Sequence, residues 1–277
     1  MKLKLCFSTC PNDTFMFDAL VNGRIDTKGL SFDVHLADID ELNKLAFDGF
    51  ADITKISFFA FTKVFESYQL LNAGSALGRG VGPLVISKRK IYPDEIKDVR
   101  IAVPGLETTA NMLFSIAYPG AANKKVYLFS DIEEAILSNE VDAGVIIHEN
   151  RFTYERKGLI KISDLGEFWE SQTKLPIPLG GIVIKRAIPD KIKIQVDELL
   201  KQSVEYAFAH PKDSYPYVKQ YAQAMDEDVM YKHIQLYVNN FSISLGNDGR
   251  NAIIELFNRT NKLGLTPSFS NEIFVNT

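Results

Sequence analysis

The residue with the widest chemical reach in this chain is His148, in the stretch V-D-A-G-V-I-I-H-E-N-R-F-T-Y over positions 141–154. Ala143 to Ile147 is a short apolar run rich in β-branched residues, which reads as a buried strand. His148, Glu149, Asn150 and Arg151 follow at once, so a polar cluster stands just past the strand's carboxyl end. In open α/β sheets ligands bind at that end. An imidazole there exchanges a proton near neutral pH. The same position also suits a histidine that merely closes the strand with local hydrogen bonds, and spacing alone leaves both readings open.

Other candidates stand where strands give way to helices. Ser8-Thr9-Cys10-Pro11-Asn12-Asp13-Thr14 separates a strand, Lys2 to Phe7, from a helix expected over Phe15 to Val21, with Asn12 or Asp13 as its N-cap. The free N–H groups of a first helical turn make such a loop a natural anion site. Capping accounts for Asn12 and Asp13 but not for Ser8 and Thr9 before them. Thr108 and Thr109 place two hydroxyls at a second helix start, expected over Ala110 to Tyr118, where one cap needs only one threonine. Ser57 ends a strand and opens an aromatic helix, Phe58 to Phe65, so it is either an N-cap or a ligand contact. Arg79 lies in a glycine-rich run, positions 74–82, read as a flexible turn; it either meets an anionic ligand or is solvated. That run is no dinucleotide loop, because a strand, Pro83 to Ile86, follows it.

The elements that must carry these groups alternate β and α. Further strands are expected over Leu30 to Leu36, Asp52 to Ile56, Tyr68 to Asn72, Val99 to Val103 and Lys125 to Phe129. Asp38, with Glu41 three positions on, signals a helix to Phe47, and Ser130 to Glu133 reads as a capping box for a helix to Leu137. Arg151 to Lys174 is less regular; Trp169 within it either covers a ligand or simply packs. Helices are expected over Asp190 to Ala209, Tyr215 to Ala224, Asp226 to Tyr237 and Asp248 to Leu263. His210 falls at a helix end, and His35 and His233 read as face or core residues without partners. Gly82-Pro83-Leu84-Val85-Ile86 is echoed by Gly180-Gly181-Ile182-Val183-Ile184, each followed by basic residues. We read these as two crossover strands, giving a larger discontinuous lobe, 1–87 plus 187–277, and an inserted lobe, 88–186. Four loops facing one cleft would then form a small-molecule site.

Composition narrows the function classes. The chain has 277 residues, 46% hydrophobic and 24% charged, with a formal net charge of −4. This is ordinary for a globular protein of two domains. The absence of a basic block argues against nucleic acid, and no apolar run reaches the ~20 residues of a membrane span. The first seven residues alternate like a strand and hold no apolar signal region, so a cytoplasmic protein is expected. Cys6 and Cys10, four apart with no nearby histidine, fit free thiols better than a metal site.

Four segments carry a family resemblance: Ser8 to Phe15, Lys55 to Ser57, Ala76 to Leu84 and Ile147 to Tyr154. Together they resemble the 1,4-dihydroxy-6-naphthoate synthases of menaquinone biosynthesis by the futalosine route, on a type II periplasmic-binding-protein fold. The resemblance implies conversion of cyclic dehypoxanthinyl futalosine to 1,4-dihydroxy-6-naphthoate, with no metal and no organic cofactor. It implies a general base at His148 and substrate contacts at Lys55, Ile56 and Ser57 and at Thr108, Thr109 and Ala110. The substrate would be a small anionic bicyclic molecule. Whether the chain is a monomer or a homodimer stays open. Two rivals use the same fold: a carboxylate-binding or sensing protein without chemistry, and the chorismate dehydratase of the same pathway.

Overall fold

The structure is a computed structural model, which describes residues 1–222, 226–268 and 272–276 and, at Glu149, the backbone only. The chain opens with β1 (Lys2–Phe7), α1 (Pro11–Val21), β2 (Ser31–Leu36), α2 (Ile39–Phe47), β3 (Ile53–Ser57), α3 (Phe58–Phe61), β4 (Tyr68–Leu70) and β5 (Ala76–Gly78). There follow β6 (Leu84–Ser87), β7 (Ile101–Val103), α4 (Thr109–Ala117), β8 (Lys124–Val126), α5 (Ile132–Leu137), β9 (Ala143–Ile146), β10 (Ile160–Asp164) and α6 (Leu165–Thr173). The last third is β11 (Ile177–Lys185), α7 (Asp190–Ala209), α8 (Pro211–Tyr221), α9 (Glu227–Tyr237), α10 (Asn240–Ile243) and α11 (Gly246–Lys262).

These elements form two compact units, Met1–Gly78 with Pro178–Thr277, and Arg79–Ile177. The larger unit carries a sheet in the order β2-β1-β3-β11-β4, with β5 also on β11. In it β1 runs parallel to β2 and β3, while β11 is antiparallel to β3 and β4. Its core joins Leu3, Leu5 and Phe7 of β1 to Phe15, Met16 and Phe17 of α1 and to Val196, Leu199 and Leu200 of α7. Phe7 and Phe17 stack with ring centroids 4.3 Å apart. Because α1 packs on α7, α8 and α9 as well, it is buried from Pro11 to Leu20 and shows no polar stripe. The smaller unit carries a sheet in the order β10-β6-β9-β7-β8, its core built from Leu84, Ile86, Ala102, Ile132, Ile136 and Ile146.

Several expectations are corrected. The units divide at residues 78/79 and 177/178, not at 87 and 186, because β6 pairs with β9 and β10 inside the smaller sheet whereas β11 belongs to the larger one. The two similar strands are therefore not a matched pair of crossovers. Helix α1 starts at Pro11, four residues early. Cys10 is its N-cap, with no side-chain cap bond, and Asn12 and Asp13 lie inside the first turn. Proline suits that first position because it has no N–H to leave unpaired. Ser130 to Glu133 makes no capping box: a 3₁₀ turn, Phe129–Asp131, precedes α5, and Ser130 donates to the Asp131 carboxylate instead. The irregular stretch after Arg151 holds β10 and α6, the helix capped by Asp164, which accepts from the N–H groups of Gly166 and Glu167. Trp169 is buried and donates to the Pro176 carbonyl at 3.0 Å, so it packs. The end of the helix expected over 215–224, at residues 223 and 224, lies outside the described residues. Strand β1 and helix α7 fall where the sequence places them.

Candidate functional site

Adjacent parallel strands bring their carboxyl ends to the same edge of a sheet. In the larger unit β1 and β3 are such neighbours, so Ser8 to Cys10 with the first turn of α1, and Ser57, share one edge. Within β3 successive side chains alternate in direction, which puts Lys55 and Ser57 on one face and Ile56 on the other. Gly180, opposite Ser57 on β11, keeps that pairing close: a Cβ there would stand 2.7 Å from the Ile56 carbonyl oxygen.

The polar groups at this edge form two hydrogen-bonded sets, almost entirely buried. Lys55 Nζ lies 3.0 Å from Asp13 Oδ1, and the same oxygen accepts from Asn12 Nδ2 at 2.8 Å. Asp13 Oδ2 accepts from the Ser8 hydroxyl at 2.6 Å and from the Ser8 N–H at 3.2 Å. The loop expected to receive an anion is thus filled by an anion of its own, and this explains the serine at position 8. Ser57 does not cap α3. Its N–H donates to Asn43 Oδ1 at 2.9 Å and its Oγ accepts from Asn43 Nδ2 at 3.2 Å, which leaves the Ser57 hydroxyl proton to donate elsewhere. Lys55 is held by one of its three ammonium protons. His233, expected to stand alone, is fully buried with Nε2 2.8 Å from Asn12 Oδ1.

The smaller unit repeats the arrangement. Here β7 and β9 are parallel neighbours, so the Thr108 turn after β7 and His148 after β9 share an edge. Thr108 is the N-cap of α4: its hydroxyl accepts from the Asn111 N–H at 3.2 Å and donates to the Gly105 carbonyl at 2.8 Å. The cap consumes that hydroxyl. Thr109 and Ala110, both buried, supply the first-turn N–H groups of α4.

His148 opens a 3₁₀ turn, His148–Phe152, with φ of +57°. That is a left-handed conformation adopted by only a few per cent of non-glycine residues, histidine, asparagine and aspartate more often than the rest. Lys28, Asn139 and Lys174 share it, but they sit in turns or at helix ends; His148 follows a buried strand. Its ring is half-buried and meets Phe129 edge to face, with centroids 4.9 Å apart. Asn150 donates to the Phe129 carbonyl at 3.5 Å, so the turn and the aromatic neighbour of His148 are tied together.

Arg151 and Arg79 both hold neighbouring backbone. Arg151 donates to the carbonyls of Gly82 and Gly80 and lies 3.4 Å from Asp164 Oδ2. Gly82 packs so close to the Gly166 backbone that a Cβ would collide with it. The glycine-rich run is therefore held, not flexible, and contains β5. Arg79 is exposed, donates to the Lys174 carbonyl at 2.8 Å and stands 3.8 Å from Glu170, so it braces the end of α6 and joins none of the other candidates.

Sequence reasoning misses Asn43, His233 and the pairing of Asp13 with Lys55. Their partners lie 14, 221 and 42 residues away, so no local pattern announces them. Cys6 and Cys10 are both buried thiols, and burial pushes the Cys6 thiol up to about 11. Among the described residues no cluster of His, Cys, Asp or Glu is placed to hold a metal ion, and no helix is long and apolar enough to cross a membrane.

Two α/β units, the second inserted in the first, each with polar loops at the carboxyl ends of parallel strands, define the type II periplasmic-binding-protein class. The alkanesulfonate-binding protein of Xanthomonas axonopodis has this fold, with a TM-score of 0.72 at 12% identity over 99% of this chain and 96% of that one. Within that class the chain belongs to the menaquinone biosynthesis family, which matches residues 3–262. It is 40% identical to the 1,4-dihydroxy-6-naphtoate synthase of Thermus thermophilus over 273 residues, 99% of each chain. A crystal structure of an Archaeoglobus fulgidus protein superposes with a TM-score of 0.90 at 32% identity, covering 95% of this chain and 98% of that one.

Proposed function

We propose that this chain is a carbon–carbon lyase that converts cyclic dehypoxanthinyl futalosine to 1,4-dihydroxy-6-naphthoate, with His148 as general base. The observation that carries the reading is the full-length likeness to a synthase of that product, joined to a half-buried histidine held in a left-handed conformation at a strand end. Backbone strain of this kind is found where a side chain must be aimed.

In the proposal the neutral imidazole of His148 removes a proton from a substrate hydroxyl. The oxygen's electrons form a carbonyl as the neighbouring carbon–carbon bond breaks, in the manner of a retro-aldol step. The electron pair of the broken bond stays on the ring fragment as an enolate. This becomes a phenol of the aromatic product on taking back the proton held by His148, and the carbonyl-bearing, sugar-derived fragment leaves. No net electron transfer is required. Thr109 and the first-turn N–H groups of α4 hold the substrate carboxylate, the helix dipole adding to them. Lys55 and Ser57 give their remaining donors to substrate oxygens, with Asn12 behind them as the support of Asp13. Ile56 and Ala110 contribute backbone groups. Base catalysis of this kind supplies ~10²–10⁴-fold, and fixed geometry supplies much of the rest. We place the reaction in the cytoplasm, in keeping with two cysteines that remain thiols.

The test is incubation of the purified protein with cyclic dehypoxanthinyl futalosine, following naphthoate by absorbance, with His148→Asn alongside. Wild type is expected to turn over, and His148→Asn to fold normally with turnover reduced by about 10²-fold or more. Near-wild-type turnover by the variant would remove His148 as the base. Tight binding without product by the wild type would favour a binding protein instead.

A further inference from the structure

The first turn of α1 is held from a place the sequence gives no reason to look. Helix α9 packs on α1 and brings His233 to Asn12, 2.8 Å from ring Nε2 to Asn12 Oδ1. The amide's orientation is dictated by its other side. Asn12 Nδ2 stands 2.8 Å from Asp13 Oδ1, and a carboxylate oxygen can only accept. The amide therefore turns its NH₂ to Asp13 and its oxygen to His233. Nε2 of His233 must carry a proton and donate. Turning the amide over would set its oxygen against the Asp13 carboxylate, losing that bond and putting two acceptors in contact.

The Asp13 oxygen that Asn12 holds is the one that holds Lys55 Nζ, at 3.0 Å. Three hydrogen bonds thus connect His233 to Lys55: ring to amide, amide to carboxylate, ammonium to carboxylate. Every member of the chain is at least nine-tenths buried. Tyr237, with its ring centroid 4.7 Å from that of His233, packs beside the imidazole from one turn further along α9. A lysine has four rotatable bonds and a near-isotropic charge, so where its spare protons point depends on what anchors it.

We propose that His233 is a positioning residue that fixes Asn12 and Asp13 and through them sets Lys55. Its importance for turnover rests on the reading above, in which Lys55 meets the substrate; its hold on Lys55 does not. The relay differs from simple core packing because it needs the ring N–H and not only the ring's volume. His233→Leu keeps apolar bulk and removes the donor. His233→Gln places an amide N–H near the position of Nε2.

The first measurement is on the free full-length protein. The Lys55 ammonium cross-peak in a ¹H–¹⁵N spectrum, assigned by its absence in Lys55→Met, is expected to be sharp in wild type, broadened or lost in His233→Leu and restored in His233→Gln. An unchanged Lys55 signal in His233→Leu overturns the proposal. So does a wild-type His233 ring protonated at Nδ1 alone, read from its ¹⁵N shifts, and that measurement needs no variant to fold. The second measurement is steady-state kinetics with cyclic dehypoxanthinyl futalosine. His233→Leu is expected to raise KM about tenfold with kcat little changed, as for loss of ground-state binding. His233→Gln should return KM to within about threefold of wild type, and the effect of His233→Leu should vanish in a Lys55→Met background, because residues acting through one path are not additive. An equal effect in both backgrounds means that His233 only packs. No turnover by wild type would sink the substrate reading, while the Lys55 and His233 spectra would still decide for or against the relay.

Discussion

Asp13 and Lys55 are not equivalent halves of an ion pair. Asp13 accepts from Lys55, from the Asn12 amide and twice from Ser8, so it keeps three donors when the lysine is removed. Lys55 is 5% exposed and, among the described residues, has Asp13 as its ionic partner. Breaking a buried pair is most damaging when it strands a charge. Asp13→Asn is therefore expected to lower the unfolding free energy by about 3–5 kcal/mol, the usual cost of a buried charge left alone. Lys55→Met should cost about 1.5–3 kcal/mol, the range for a single charge-assisted hydrogen bond. Urea denaturation of the two variants checks this, and the reverse order would mean that Lys55 draws its support from elsewhere. At this scale the sequence singles out Asn12, Lys55 and Ser57, which the structure places as buried, hydrogen-bonded groups, but gives Asp13 only a cap's role. What it lacks is the pairing: a capping aspartate and a relay aspartate look alike until the strand carrying Lys55 is laid beside the loop.

Helix starts show what is legible among the elements. Asp38 signals one helix and Asp226 opens another expected one, and both accept from N–H groups two and three residues on. Those signals are local, so the sequence suffices. The start of α1 escapes the sequence because its cap, Cys10, has no capping side chain and its first turn is wholly buried, which hides the amphipathic pattern that marks a helix on a surface. Helix α6 escapes it although Asp164 and Glu167 stand at cap and third positions and the short strand β10 leads straight into the cap. Thr108 carries the start of α4. Its hydroxyl satisfies the Asn111 N–H and binds back to Gly105, so it closes the whole turn. Thr108→Val is expected to cost about 1 kcal/mol, the usual worth of an N-cap, and Thr108→Ser only a few tenths. Chemical denaturation of the pair decides it: equal losses would mean that the methyl group, not the hydroxyl, supports the turn.

At the scale of the whole chain, the boundaries at 78/79 and 177/178 bear on folding. Every strand of the smaller sheet, β6 through β10, comes from Arg79–Ile177, and so do α4, α5 and α6. Its core residues, from Leu84 to Leu159, are likewise all internal to that span. The larger unit is discontinuous, but its cut ends are neighbours, since β5, ending at Gly78, pairs with β11, beginning at Ile177. A continuous stretch with its own sheet and core, of about the size at which domains fold alone, has what independent stability requires. Residues 79–177 expressed alone are therefore expected to unfold cooperatively in urea and to give a dispersed amide spectrum. Residues 1–78 joined to 178–277 through a short Gly-Ser linker should do the same, because closing a loop between paired strands adds little entropy cost. Cutting instead at 87 and 186 divides β6 from β9 and β10, and β11 from β3 and β4, leaving two sheets without central strands. Fragments made at those positions should be insoluble or unfolded. If they folded as well as the 79–177 span, strand pairing would not be what defines the units.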